Sequence, residues 1–240
     1  MLIELNALET TRFGIGAARV IDVSADLEAI DAAAKAQAVK LLSRRLDVGN
    51  LHRVHALEAA GYQLMDTLVY YGRPLANSPS PRQLPDEVTC RPAKAIEAGA
   101  VGAIARVAFA GYMGHYHADS RLENTAADAV YVQWAETSTE QTSTKAPVLL
   151  AELNGQVAGF VALRRNSRKQ AEIVLNAVHP DCQGRGLYTA LVAYALDHAK
   201  AQGDVSMIVS TQINNYAVQR VWTRLGFIHE KSLYTFHKWL

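Results

Sequence analysis

The run Leu175-Asn176-Ala177-Val178-His179-Pro180-Asp181-Cys182-Gln183-Gly184-Arg185-Gly186-Leu187-Tyr188 constrains this chain more than any other. Ala171–Val178 is apolar enough to be a strand, and Leu187–Ala201 has the spacing of a long amphipathic helix that ends at Gly203. Between them lie a proline and two glycines. The first N–H groups of a helix have no internal partner and sit at the positive end of its dipole. Gly184 and Gly186 have no Cβ to keep a bulky anion from those amides. Strand, glycine turn and helix together make a cradle suited to a pyrophosphate. A nucleotide or dinucleotide fits such a turn too, but Gly-x-Gly-x-x-Gly and Gly-Lys-Ser/Thr are absent. A turn that serves packing alone is the plain alternative.

The remaining pattern alternates strand and helix. Arg19–Val23 predicts a strand and Ala25–Gln37 a helix capped by Ser24. Val39–Leu46 (strand), Leu51–Ala60 (helix closed by Gly61) and Tyr62–Tyr71 (strand) follow. Leu75–Pro85 is rich in Pro and Ser with no period, and predicts an open linker. Beyond it come helices at Ile96–Ala110 and Thr125–Glu136, then a hairpin of Val148–Leu153 and Gln156–Leu163 turning at Asn154-Gly155. Val205–Ser210 (strand), Tyr216–Leu225 (helix capped by Asn215) and Ile228–Trp239 (strand) complete the chain. The organisation expected is an N-terminal αβ domain at 1–74, a linker at 75–89 and a C-terminal domain at 90–240. Asn50, Gly61 and Tyr62 repeat the spacing of Asn215, Gly226 and Phe227, so residues 1–74 read as a degenerate half-copy of the C-terminal fold or as one more ordinary αβ unit.

Composition narrows the partners. A net charge of +1 gives no field to draw nucleic acid or an anionic membrane, and no apolar run is long enough to span one. Met1-Leu2-Ile3-Glu4-Leu5 does not read as a signal peptide, and Cys90 and Cys182 suit a reducing compartment, so a cytoplasmic location is expected. His115 and His117 lack the further ligands of a metal site, and none is expected. A homodimer is allowed by the sequence but not fixed by it.

The glycine turn resembles the signature of the GNAT superfamily of acyl-CoA N-acetyltransferases, Gln/Arg-x-x-Gly-x-Gly/Ala after a Val-x-Pro. Val178-His179-Pro180 leads here into Gln183-Gly184-Arg185-Gly186-Leu187-Tyr188, with Tyr188 at a position the family keeps small. Asn215-Tyr216 through Leu225-Gly226-Phe227 is similar to the family's second signature, with Trp222 where its Tyr protonates the departing thiolate. The resemblance implies an α/β GNAT fold, a mixed and mostly antiparallel sheet flanked by helices whose splayed strands hold acetyl-CoA. It implies cofactor contacts from Ala177, Val178, Gln183, Gly184, Arg185, Gly186, Leu187, Tyr188, Asn215 and Trp222. The Val178 N–H would hold the thioester carbonyl and Asn215 the pantetheine arm. Cys182, in the pyrophosphate loop, is set aside as a nucleophile.

An indole is far too weak an acid to give a proton, so Trp222 is expected to be chemically silent, and Tyr188 or Tyr216 to donate if either does more than satisfy the core. With unbroken alternation Glu172, Asn176 and Val178 share a strand face, which makes Glu172 and His117 the candidate bases. The loop Tyr112–Arg121 would form the acceptor wall through Tyr116, His117, Asp119 and Arg121, with Asn176 opposite. The whole chain, from Arg12-Phe13-Gly14-Ile15 through Tyr131-Val132-Gln133-Trp134 to Tyr234–Trp239, resembles the TDP-fucosamine acetyltransferase family. That resemblance implies a nucleotide-linked amino sugar as acceptor, in surface polysaccharide biosynthesis. Another amine (a protein N-terminus, a polyamine, an aminoglycoside) and a non-catalytic acyl-CoA sensor are the competing readings.

Overall fold

The computed structural model describes residues 1–75, 87–167 and 169–240. Residues 76–86, most of the expected linker, lie outside the described residues. The chain opens with β1 (Ile3–Leu5) and α1 (Ala7–Phe13), both too short to leave a periodic signal. It continues through β2 (Ala17–Val20), α2 (Leu27–Ala36), β3 (Leu41–Asp47), α3 (Leu51–Ala59) and β4 (Gln63–Pro74). Then come β5 (Val88–Pro92), α4 (Ala98–Ala108), α5 (His115–Ala118), α6 (Asn124–Glu140), β6 (Val148–Leu153) and β7 (Gln156–Ser167). The C-terminal part is β8 (Gln170–Val178), α7 (Leu187–Ala201), β9 (Ser206–Gln212), α8 (Tyr216–Arg224) and β10 (Ile228–Trp239).

Two caps differ from expectation. The Asp26 side chain, not Ser24, accepts from the first turn of α2, because Ser24 is turned back onto Asp22. Asn215 occupies the cap position of α8, yet its side chain donates to Thr211 Oγ1 at 3.0 Å rather than capping the helix. The hairpin turn behaves as its sequence dictates, with Asn154 and Gly155 both at positive φ.

All ten strands of the described residues form one sheet in the order β1-β2-β3-β10-β4-β9-β8-β7-β6-β5. Within it β2-α2-β3-α3-β4 and β8-α7-β9-α8-β10 are two units of the same sequence of elements, each starting with a parallel strand pair. Their last strands are exchanged: β10 lies beside β3, and β4 lies beside β9, with β10 and β4 paired at the centre. The repeated residues match in conformation as well. Gly61 and Gly226, one residue past the helix caps, have φ of 84° and 81°, and the aromatic after each is buried. Helices α2, α3, α7 and α8 cover one face of the sheet, through clusters built on Ile30, Leu57, Leu191 and Trp222. On the other face α4 and α6 close over Phe160 and Leu175, and α1 and α5 over Leu41.

Candidate active site

The site begins where two parallel strands separate. β8 pairs with β9 only from Gln170↔Ser206 to Ile173↔Val209, although both strands run on to Val178 and Gln212. The cause is one extra residue. Ala162 pairs with Leu175 and Leu163 with Ile173, which leaves Val174 as a bulge. The bulge also exchanges the faces of the strand: Ala171 and Ile173 belong to the α7 cluster, Leu175 and Ala177 to the α4–α6 cluster. The premise of unbroken alternation therefore fails. Glu172 is not on the face of Asn176 and Val178, and it pairs with Arg164 at 2.6 Å, where β8 and β9 are still joined.

Beyond the bulge the pairing with β7 decides where main-chain groups point. The His179 N–H donates to Ala158 O, so Gly159↔Val178 and Val161↔Asn176 are non-hydrogen-bonded pairs. The N–H groups of Asn176 and Val178 consequently face the gap that β9 has left. Past Val178, Gly184 and Gly186 take φ of 77° and 81°, a conformation that L side chains resist, and Gly186 becomes the cap of α7 with no side chain on its first amides. A cavity of about 1430 Å³ runs along this line. Of the cofactor residues expected from the sequence, Ala177, Val178, Gln183, Gly184, Gly186, Leu187, Tyr188, Asn215 and Trp222 line it, whereas Arg185 is exposed in the loop outside.

The expected proton donors separate sharply. Trp222 is fully buried, and its indole N–H donates to the Tyr188 hydroxyl at 2.8 Å. The indole fixes the Tyr188 oxygen as an acceptor and leaves the phenolic proton to be donated elsewhere. Burial pushes the Tyr188 phenol well above its ordinary range, so it stays protonated. Tyr216 is 63% exposed and lines a separate shallow depression with Tyr71 and Gln219. Trp222→Phe should cost about 1–3 kcal/mol of stability, the usual consequence of stranding a buried partner, read as a lowered Tm.

The N-terminal unit, to which the sequence assigns no role, shares the lining of the cavity with β9 and β10. Arg45, Thr235 and Asp66 stand directly opposite one another across β3, β10 and β4, and Gln212 Nε2 donates to Asp66 Oδ2 at 3.3 Å. Asp66 Oδ1, Gln212 Oε1, Thr235 Oγ1 and Glu9 Oε2 are buried without a hydrogen-bond partner among the described residues. All four residues line the cavity. Its far end reaches the point where β2 stops beside β3, and is lined by Arg12, Arg19, Arg44 and Arg45. Arg44 is fully buried, with Nε and Nη1 unpartnered.

Of the loop residues expected to bind substrate, Tyr116 lines the cavity, as does Asn176. His117 is turned aside. Its Nδ1 accepts the Gly114 N–H at 3.4 Å and its Nε2 lies 3.0 Å from Asp128, so neither nitrogen is free for an amine. Asp119 is 2% exposed and Arg121 is bound to it. Asp119 also touches His237, and His237 touches His115, which does line the cavity. The partner of His115 lies 122 positions away, a pairing that no local pattern encodes.

The family model described as the acetyltransferase (GNAT) family matches residues 106–227, just over half of the chain. The chain belongs to the GNAT family. Acetyl-CoA is accordingly the co-substrate of the family and acetyl transfer its reaction. The dTDP-fucosamine acetyltransferase of Escherichia coli is 27% identical over 96% of this chain and 95% of its own. The spore coat polysaccharide biosynthesis protein SpsD of Bacillus subtilis is 30% identical over 52% of this chain, which covers 42% of that protein. In fold, the chain is similar to a GCN5-related N-acetyltransferase from Sphaerobacter thermophilus (TM-score 0.68, 14% identity, 99% of this chain and 76% of that one). Among the described residues no helix is long and apolar enough to cross a membrane.

Proposed function

We propose that this enzyme transfers the acetyl group of acetyl-CoA to the amino group of a nucleotide-linked amino sugar. The observation that carries this reading is the composition of the acceptor end. Two carboxylate oxygens and an amide oxygen there, on Glu9, Asp66 and Gln212, can only accept hydrogen bonds. They suit a ligand rich in hydroxyl and amine donors. Arg12, Arg19 and Arg45 share that lining with two carboxylates, and Tyr112, Tyr116 and Tyr131 supply aromatic wall. Arginine forks bind phosphate well, whereas a polyamine or aminoglycoside would meet repulsion. The printed names of the Escherichia coli and Bacillus subtilis relatives agree with a sugar in surface polysaccharide formation.

The chemistry follows from the cleft. The pyrophosphate lies on the amides opening α7, and the pantetheine arm extends along the free edge of β8, accepting from the Asn176 and Val178 N–H groups in place of the strand that β9 does not supply. The amine nitrogen attacks the thioester carbon, and the C=O electron pair moves to oxygen against the Val178 N–H, a stabilisation typically worth roughly 3–4 kcal/mol. The adduct loses one proton from nitrogen. The carbonyl re-forms, the C–S bond breaks, and sulfur leaves with its electron pair to take a proton. Tyr188 is the donor within the cavity. Tyr188→Phe is expected to lower kcat about tenfold or more, while Tyr216→Phe stays near wild type, with acetyl-CoA affinity measured separately.

A thiol-release screen tests the acceptor, with TDP- and UDP-linked amino sugars set against spermidine, an aminoglycoside and N-terminal peptides. A higher kcat/KM for any of the latter three would overturn the sugar reading, and thiol release with any amine would exclude a non-catalytic sensor. Asp66→Asn should raise KM for the sugar at least tenfold and leave the acetyl-CoA Kd unchanged, because it touches only the acceptor end.

A further inference from the structure

The geometry points to His115 as the base that takes the proton from the attacking amine, with His237 and Asp119 behind it as positioning residues. This rests on the transfer reaction proposed above and assigns its missing base. The argument is one of forced proton positions. Asp119 accepts from Arg121 Nε at 2.7 Å, from the Arg121 N–H at 3.2 Å and from Trp239 Nε1 at 2.8 Å. Burial alone would raise its pKa, but these donors and His237 outweigh it and hold the carboxyl well below the usual range. An ionised carboxylate only accepts. His237 Nδ1, 3.0 Å from Asp119 Oδ2, must therefore carry a hydrogen.

Burial keeps His237 neutral, so its Nε2 is bare. That nitrogen lies 2.9 Å from His115 Nδ1, which must then be the protonated partner. Burial also holds His115 well below the ordinary histidine value, so its Nε2 carries the lone pair. No hydrogen bond to that Nε2 is found among the described residues, and His115 lines the cavity. The ring plane is fixed by Tyr116, whose centroid is 3.8 Å away.

The relay removes the objection that a buried imidazole is a poor base. When His115 Nε2 takes the proton from the tetrahedral adduct, its Nδ1 proton passes to His237 Nε2. The positive charge then rests on His237 against the Asp119 carboxylate, and not in the cavity. The steps reverse when the proton is released to solvent or, through Tyr188, to the thiolate. The charged and titratable groups acting on His115 are His237 on β10, Arg45 on β3 and His117 on α5, all lowering its pKa. Those on His237 besides Asp119 are Glu9 on α1 and Asp66 on β4, both raising it. The base is thus available at neutral pH and is lost only on acidification, so the acid limb of kcat/KM should lie below the ordinary histidine value of about 6.5.

Two measurements decide the assignment. Imidazole nitrogen-15 spectra of the wild-type protein without substrate should show His115 and His237 both protonated at Nδ1 and bare at Nε2; a proton on His115 Nε2 overturns the proposal. With a TDP-linked 4-amino-deoxysugar as acceptor, His115→Ala should lose about 10²–10⁴-fold in kcat. Its acetyl-CoA affinity should stay within twofold, and added imidazole should restore part of the rate, as no merely structural role predicts. A folded His115→Ala protein within threefold of wild type, or one that imidazole does not rescue, overturns it too. If His115→Ala does not fold, the spectra of the wild type still decide. Failure of the transfer reading looks different: the wild type itself would release no thiol with any amine.

Discussion

Gly186→Val is expected to weaken acetyl-CoA binding at least about 100-fold, or about 2.7 kcal/mol. Gly186 has φ of 81° and caps α7 with no side chain over its first amides. A β-branched residue there meets two penalties. The backbone is strained by about 1–3 kcal/mol, and a Cβ with two methyl groups stands in the approach of the pyrophosphate. Relief of the strain by a change of φ would turn the first N–H groups of α7 away from the anion, so neither response preserves the site. Calorimetric titration with acetyl-CoA reads the loss and far-UV dichroism the fold. Undiminished affinity in the variant would place the cofactor elsewhere.

The second large effect concerns the chain's organisation. Residues 87–240 produced alone are expected not to reach a stable folded state, and co-production with residues 1–75 should restore soluble protein and activity. β4 is hydrogen-bonded to β10 on one side and β9 on the other. Without it both strands become open edges, and one of them borders the donor cleft. The linker expected at 75–89 ends inside β5, whose Val88 and Thr89 pair with Leu153 and Glu152, and we propose that the stretch between β4 and β5 separates two segments that cannot be separated as folds. Limited proteolysis should cut first between Leu75 and Pro92, and the nicked halves should co-elute on gel filtration at native pH. A first cut inside Val148–Phe227 would mean that the boundary is misplaced. A well-dispersed spectrum from residues 87–240 alone would show that β4 is dispensable.

What could be read in the sequence follows the range of the interactions. α7 and β10 were legible to the residue because long amphipathic periods and glycine stops are local. The turn at Gln183–Tyr188 was legible because backbone geometry, not distant contact, selects its glycines. β1, α1 and β5 were missed, since three to seven residues carry too little periodicity and their pairing partners supply the order. At the site, the glycine turn is a local pattern and the side-chain contacts around the histidines are not. Glu172 was chosen on an alternation that Val174 interrupts, and His117 on proximity to an aromatic loop, while its neighbour two residues earlier meets His237 across the sheet. A His-x-His pair gives no sign of which member meets a histidine of a distant strand and which a carboxylate of the next helix. The one available signal is Tyr234–Trp239, where polar Thr235 and His237 flank apolar Phe236 in the only fully buried stretch of β10.

The extra residue at Val174 acts on β8 as a frameshift acts on a message. Upstream of it odd-numbered side chains meet α7, and downstream odd-numbered side chains meet α4 and α6, so one strand is read in two phases. Neither phase alone makes an acetyltransferase: the first holds the sheet together, the second opens it. On the proposed mechanism, side chains along Leu175–Val178 are then interchangeable so far as the acyl group is concerned, since main-chain N–H groups would hold it. What cannot be exchanged is the count of residues between Gln170 and Val178. The grip on the thioester that we propose is stored as a length, which a substitution keeping the main-chain N–H groups leaves intact and a single deletion shifts.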